Sequence, residues 1–183
     1  MADKADKNVV VAVYKDHAGA EAAVNELQKA GFDMKKLSVV GRDYHTEEQV
    51  VGYYNTGDRM KMWGKSGAFW GGLWGLLFGS AFLAVPGLGL IAAAGPIVAW
   101  IVAGLEGAVV VGGLSALGAA LVSVGIPKNS IIQYETALKA DKFLLIAHGT
   151  AADVAKARDI MQTTHADEFE MHAFNATRLA AVS

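Results

Sequence analysis

The sequence contains no cysteine. That excludes disulfides, thiolate metal sites and a cysteine nucleophile. It has little charge of either sign in excess: 16 Lys and Arg against 18 Asp and Glu leave a formal net charge of −2, so there is no basic footprint for a nucleic acid. Charged residues are 19% of the chain, against roughly a quarter in typical soluble domains, and the shortage is local. From Ser66 to Pro127 the one charged side chain is Glu106. His17, His45, His148, His165 and His172 have no zinc-motif spacing. No serine or threonine stands in a nucleophile elbow. Lys65-Ser66 precedes Gly67, Gly71 and Gly72 instead of closing a phosphate loop. Met1 to Asn8 is charged and short, without the apolar core of a signal peptide, so the N-terminal part is expected in the cytoplasm. With these absences no residue set specifies catalysis, and the expectation is a non-enzymatic protein with no cofactor, no catalytic residues and no metal.

What is present divides the chain into three. Residues 1–65 hold the first half of an α/β domain and a polar strand and turn segment. Residues 66–125 are an apolar insertion, and residues 126–183 the second half of the α/β domain with a C-terminal tail. Val9 to Tyr14 is a continuous apolar run that predicts a buried central strand. Asp16 can cap a helix carrying Ala20, Ala23, Val24 and Leu27, which Gly31 stops. Leu37, Val39 and Gly41 alternate with Ser38 and Val40 in a second strand. The plan recurs in Phe143 to Ala147, a second fully apolar strand, then a helix capped by Thr150 through Val154, Ala157 and Ile160. Phe169 and Met171 then alternate with Glu168, Glu170 and His172, as in an edge strand with one wet face. Ser130 and Gln133 have capping-box spacing at the start of a short helix reaching about Leu138. Two β-α-β units predict an α+β protein, a ferredoxin-like split β-α-β sandwich, with the two apolar runs as its central strands.

The insertion carries small residues at four-residue spacing. Ser66 to Val85, with Gly67, Gly71, Gly75 and Gly79, reads as a helix long enough to cross a bilayer, about 30 Å at ~1.5 Å per residue. Gly104 to Gly125 reads as a second, with Gly104, Ala108, Gly112 and Ala116 in a stripe. Leu90 to Ala103, split by Gly95-Pro96, reads as a broken or re-entrant piece. Such stripes let helix backbones touch, in lipid or between subunits. Trp63, Trp70 and Trp100 suit membrane interfaces, and Arg59, Lys61, Lys65 and Lys128 flank the insertion on the cytoplasmic side. The expectation is therefore a homo-oligomer, with membrane lipid as a partner. The site is the inner membrane with the α/β domain facing the cytoplasm. The alternative is a soluble cytoplasmic assembly in which the helices are buried between subunits.

Glu106 is a candidate intramembrane functional residue. Its structural reading, a carboxylate at a helix start after Gly104-Leu105 where the dipole favours it, is the preferred one. His45 with Glu47 and Glu48, and His172 with Glu168 and Glu170, have ligand types for a metal, but a solvated strand edge explains them better.

The chain resembles the bacterial heat-induced general stress protein family (YflT-like), a domain of unknown function. The resemblance lies in KDHAGAEAAVNELQKAGFDMKKLSVVGRD at Lys15 to Asp43, AVPGLGLIAAAGP at Ala84 to Pro96, and GIPKNSIIQYETALKADKFLLI at Gly125 to Ile146. It implies stress-related expression and a membrane-associated region between two α/β halves, and it brings no catalytic residues. The resulting expectation is a stress-associated membrane or scaffold protein assembled through glycine-zipper helices. A pore with Glu106 on its path is one alternative. A small-ligand sensor on the ferredoxin-like sheet is another.

Overall fold

Every residue from Val9 to Tyr14 is buried, and a strand apolar on both sides needs a layer of helix on each face of its sheet. The computed structural model describes residues 8–42, 80–106 and 114–172. Among them the chain runs β1 (Asn8–Tyr14), α1 (His17–Lys29), a 3₁₀ turn (Met34–Lys36), β2 (Leu37–Arg42), β3 (Ser80–Val85), β4 (Gly89–Ala94), α2 (Ile97–Glu106), α3 (Ala116–Val124), α4 (Lys128–Lys139), β5 (Phe143–Gly149), α5 (Ala151–Gln162) and β6 (Glu168–His172). The strands form one sheet in the order β3-β4-β2-β5-β1-β6, antiparallel at every pairing. The protein is α+β. β1 and β2 run parallel with β5 between them, and β5 and β6 run parallel with β1 between them. Two β-α-β units thus interlock, with both apolar runs inside.

Alternation along the strands sends side chains to two cores. Val10, Ala12 and Tyr14 pack with Leu145 and Ala147 against α1 and α5. Val9, Val11 and Val13 pack with Leu144 and Ile146 against α2, α3 and α4. Burying each valine side chain contributes about 1.5 kcal/mol relative to water. Local signals set the boundaries of the first layer. The Asp16 carboxylate accepts the Gly19 N–H at 2.9 Å, and Gly31 leaves α1 with φ +69°. Thr150 and Asp153 form a capping box on α5. Asp153 also accepts from Lys36 Nζ at 2.8 Å, which ties the 3₁₀ turn to α5. That bond, with those from Thr150, holds the Asp153 carboxyl down at about 2.

The insertion departs from the helical expectation. The expected helix over Ser66 to Val85 and the re-entrant piece over Leu90 to Ala103 are overturned in residues 80–94, which form the β3–β4 hairpin. Val85 pairs with Gly89, and Gly87 (φ +85°) and Gly89 (φ +83°) make the turn. β4 then extends the sheet beyond β2, pairing Val39 with Ala94. An unpaired strand edge is a stronger demand for backbone partners than helix propensity is for a run without period. The chain crosses from β4 to α2 at Gly95 (φ +91°), tight against the Leu37–Ser38 backbone. Ser38, buried in β2, accepts the first N–H of α2, from Ile97, at 3.2 Å. The expected capping box at Ser130 and Gln133 does not form. Pro127 in extended conformation starts α4, which places Ser130 inside the first turn.

Among the described residues no helix is long and apolar enough to cross a membrane. The described part of α2 has 10 residues, about 15 Å of helix against a ~30 Å hydrocarbon core.

Gly95→Ala should cost about 3 kcal/mol or more in urea unfolding, because a left-handed φ and a backbone overlap coincide there. Gly87→Ala has the same sign of φ but open space around it, and should cost only about 1 kcal/mol. Equal losses would show that the Gly95 crossing is not tightly seated.

Candidate functional site

The expected small-residue stripes are distributed unexpectedly. Gly67, Gly71, Gly75, Gly79, Ala108 and Gly112 lie outside the described residues, as do His45, Glu47 and Glu48. Gly104 and Ala116, expected on one face of one helix, stand on two helices that meet. A Cβ on Gly104 would lie 3.0 Å from the Ala116 carbonyl oxygen and 3.4 Å from its Cα. The expected continuous helix from Gly104 to Gly125 is corrected to α2 and α3. Ser115 is the reason: its hydroxyl accepts the Gly118 N–H at 2.9 Å and starts a new helix. The same hydroxyl donates to Glu135 of α4. Small residues thus permit close backbone approach, as their type suggests, but within this chain. Glu106 is the last described residue of α2, nine residues after its start at Ile97, so it does not stand at a helix start.

α2 has an inner and an outer side. Ile97 and Ile101 are buried. Ala99 and Ala103 are exposed, and Val98, Trp100, Val102 and Leu105 are half-buried. No charged residue precedes Glu106 on this helix, so its outer side is apolar too. Trp100 meets His148 of β5 edge to face, with ring centroids 5.4 Å apart.

Polar side chains concentrate where α4 crosses β6. Glu168, Glu170 and His172 share one face of β6, as their period of two predicts, and that face turns toward α4. Gln133 Nε2 donates to Glu168 at 3.1 Å. Tyr134, 1% exposed, donates its hydroxyl to Glu170 at 2.9 Å and lies 2.7 Å from His172 Nε2. With Tyr134 donating to Glu170, the imidazole Nε2–H donates to Tyr134 in turn. Lys142 stands 3.4 Å from Asp167 and 3.7 Å from Glu168. The wet edge expected for β6 is therefore a half-covered one, with His172 only 8% exposed. Tyr134 is the residue that sequence reasoning missed. It sits 38 positions from its histidine partner, and nothing local marks it beyond a tyrosine on the apolar side of a helix.

This arrangement fastens more readily than it reacts. Burial first, then the bond to Glu170, raises the Tyr134 hydroxyl well above its ordinary range, so it stays protonated. Burial lowers His172 below 6.5, against a smaller opposing pull from Glu170. His148 and His172 both flank Val9 in register, on one face but two strands apart. Among the described residues no group of side chains could hold a metal.

The family model described as heat induced stress protein YflT domain matches residues 9–85. The resemblance read from the sequence is borne out over that span, which runs from β1 to the last residue of β3 and includes fewer than half of the 183 residues. It stops short of α2 to β6, where the resemblance also had matching segments. No curated protein and no solved structure matches the chain.

Tyr134→Phe keeps the packed ring and removes both hydrogen bonds. It should cost about 1–2 kcal/mol in chemical unfolding, because a buried imidazole N–H and a carboxylate lose their partner. His172 also sets a pH dependence. Its folded pKa lies below its unfolded one, so the unfolded chain takes up the proton first. The stability it confers is full above the unfolded value near 6.5 and declines as pH falls toward the folded value. Unfolding free energy should drop between about pH 7 and pH 5, and His172→Gln should make that decline shallower. An identical slope in the variant would remove His172 from the account.

Proposed function

We propose that the chain is a non-catalytic, stress-associated scaffold of ferredoxin-like plan that assembles with copies of itself through its apolar second helical layer. The ferredoxin-like reading is supported by the order β2-β5-β1-β6, in which two β-α-β units interlock. Stress association follows from the family match over residues 9–85. One observation carries the assembly reading: α2 is apolar on its outer side as well as its inner one. A helix apolar all round belongs inside a core, and only half of this one is covered by the described residues. The polar cluster of Tyr134, His172 and Glu170 acts here as a fastening for β6, not as a reaction centre.

A membrane-bound form is the second reading, favoured by residues 66–79, which carry no charge. Its pore variant has less support, because among the described residues no helix that carries Glu106 is long enough to span.

Sedimentation of the full chain without detergent, together with flotation on liposomes, separates the two. Self-assembly predicts a discrete particle heavier than one chain that stays at the bottom of the gradient. A chain that aggregates without detergent and floats with liposomes would sink this reading in favour of the membrane.

A further inference from the structure

β6 is lightly seated except at one point. Among the described residues its ladder partner is β1 alone. Of its five residues only His172 is buried; Glu168 and Met171 are exposed, and Phe169 and Glu170 are half-buried. β1, by contrast, is paired on both sides and buried from Val9 to Tyr14. The one buried side chain of β6 is therefore also one that can take up a proton near neutral pH. The valines that seat β1 carry no such dependence.

Two groups lie within reach of the His172 imidazole. The Tyr134 hydroxyl of α4 is 2.7 Å from Nε2, and the Glu170 carboxylate of β6 itself is 3.4 Å away. The Tyr134 and His172 rings also meet edge to face, with centroids 6.0 Å apart. The other titratable or charged groups on this side, among the described residues, stand further off. Glu168 is held by Gln133 of α4 and faced by Lys142, and His148 of β5 lies across Val9 of β1. Arg158 of α5 reaches Met171 on the opposite face. Glu170 is thus the group placed to compensate a charge on His172. Its side chain is 43% exposed and already accepts from Tyr134, so solvent screening and the shared bond weaken its pull. A proton on the imidazole gains little in the buried position and gains full hydration once the ring turns out to water.

We infer that His172 is a proton-operated latch: as pH falls below neutral, uptake of one proton by the ring as it leaves Tyr134 lets β6 open from β1 while the rest of the sheet stays paired. The imidazole is neutral in the closed strand and takes up its proton in the open one, so acid favours opening. Burial holds the closed-strand value below the ordinary one near 6.5. Opening is therefore constant above about pH 7, rises by up to about tenfold per pH unit below 6.5, and levels off under the closed-strand value. The latch rests on the fastening role of the Tyr134 cluster and is independent of self-assembly.

Amide hydrogen exchange on the full chain from about pH 5 to about pH 7.5, corrected for the intrinsic rate at each pH, reads the opening of each strand. The β6 amides should be less protected than those of β5 at every pH, and their protection should fall by up to about tenfold per unit below about pH 6.5. His172→Gln should make β6 protection independent of pH over this range. Tyr134→Phe should lower it at every pH and leave its slope. Should a variant misfold, the unaltered chain decides, by the comparison of β6 with β5 and by the NMR titration of the His172 ring. β6 amides that match those of β5 at every pH leave only with global unfolding, and overturn the latch. So does β6 protection that is flat with pH, a slope that survives His172→Gln, or a His172 ring that titrates at or above its ordinary value. Unchanged β6 protection in Tyr134→Phe overturns the fastening itself, and the latch with it.

Discussion

The sheet has to be covered twice. The adjacent strands β5 and β1, the central pair of the β2-β5-β1-β6 unit, are apolar on both faces, with Val9 to Val13 and Leu144 to Ala147 almost wholly removed from water. A sheet with one wet face tolerates alternating sequence; these strands do not alternate. The first cover comes with the β-α-β units, in which α1 and α5 are the crossovers. The second cannot come from them, because both crossovers lie on the same side. It is supplied by α2, α3 and α4, and the absence of charge across most of that stretch follows from its place against the second face. Covering this face is what positions everything else. It brings α4 across β6, and so makes the Tyr134 cluster. It carries α2 over the β3–β4 hairpin, and so leaves the outer side of α2 at the margin of the described residues.

Apolar contact alone does not fix where a helix lies, since the hydrophobic effect has no direction. The second layer is held in register by a few polar ties at its ends. Ser38 of β2 caps α2 through Ile97. Ser115 caps α3 and reaches Glu135 of α4. Gln133 and Tyr134 of α4 bind Glu168, Glu170 and His172 of β6. Each tie is modest, about 1 kcal/mol net, but each is costly to leave unmade where it is buried. Together they choose one arrangement among the many that an uncharged, small-residue surface would permit.

The interlocked units were legible in the sequence because their signals are local. A six-residue apolar run, an Asp or Thr before a helical period, and a glycine after it all act within one turn of chain. Thus β1, α1, β2, β5, α5 and β6 stand where the pattern put them, down to the caps at Asp16 and Thr150. The insertion was not legible for the opposite reason. Where nearly every residue is apolar, periods of two and 3.6 are both satisfied, and only the partner decides. At Ser80 to Ala94 the partner is the open edge of β2, which composition does not reveal. Gly104 and Ala116 stand on two helices that meet, not on one, because Ser115 reads as well inside a helix as at its cap. The Tyr134 cluster joins two segments that have no sequence relation at all.

Lipid and a protein core are equally apolar, so loss of charge cannot tell them apart. The backbone can. A segment that enters a bilayer must satisfy its own N–H and C=O groups or take partners along, because lipid offers none. The described part of the insertion does not stand alone in this way. The first N–H of α2 is satisfied by Ser38 in the sheet, and the turn before it fits because Gly95 has no side chain to press on Leu37 and Ser38. β4 takes its hydrogen bonds from β2. To leave the sheet for a membrane, residues 80–106 would have to give up a strand ladder and a helix cap together. Their apolar character therefore argues first for a core built by this chain, and only beyond its outer margin for a surface that another chain can share.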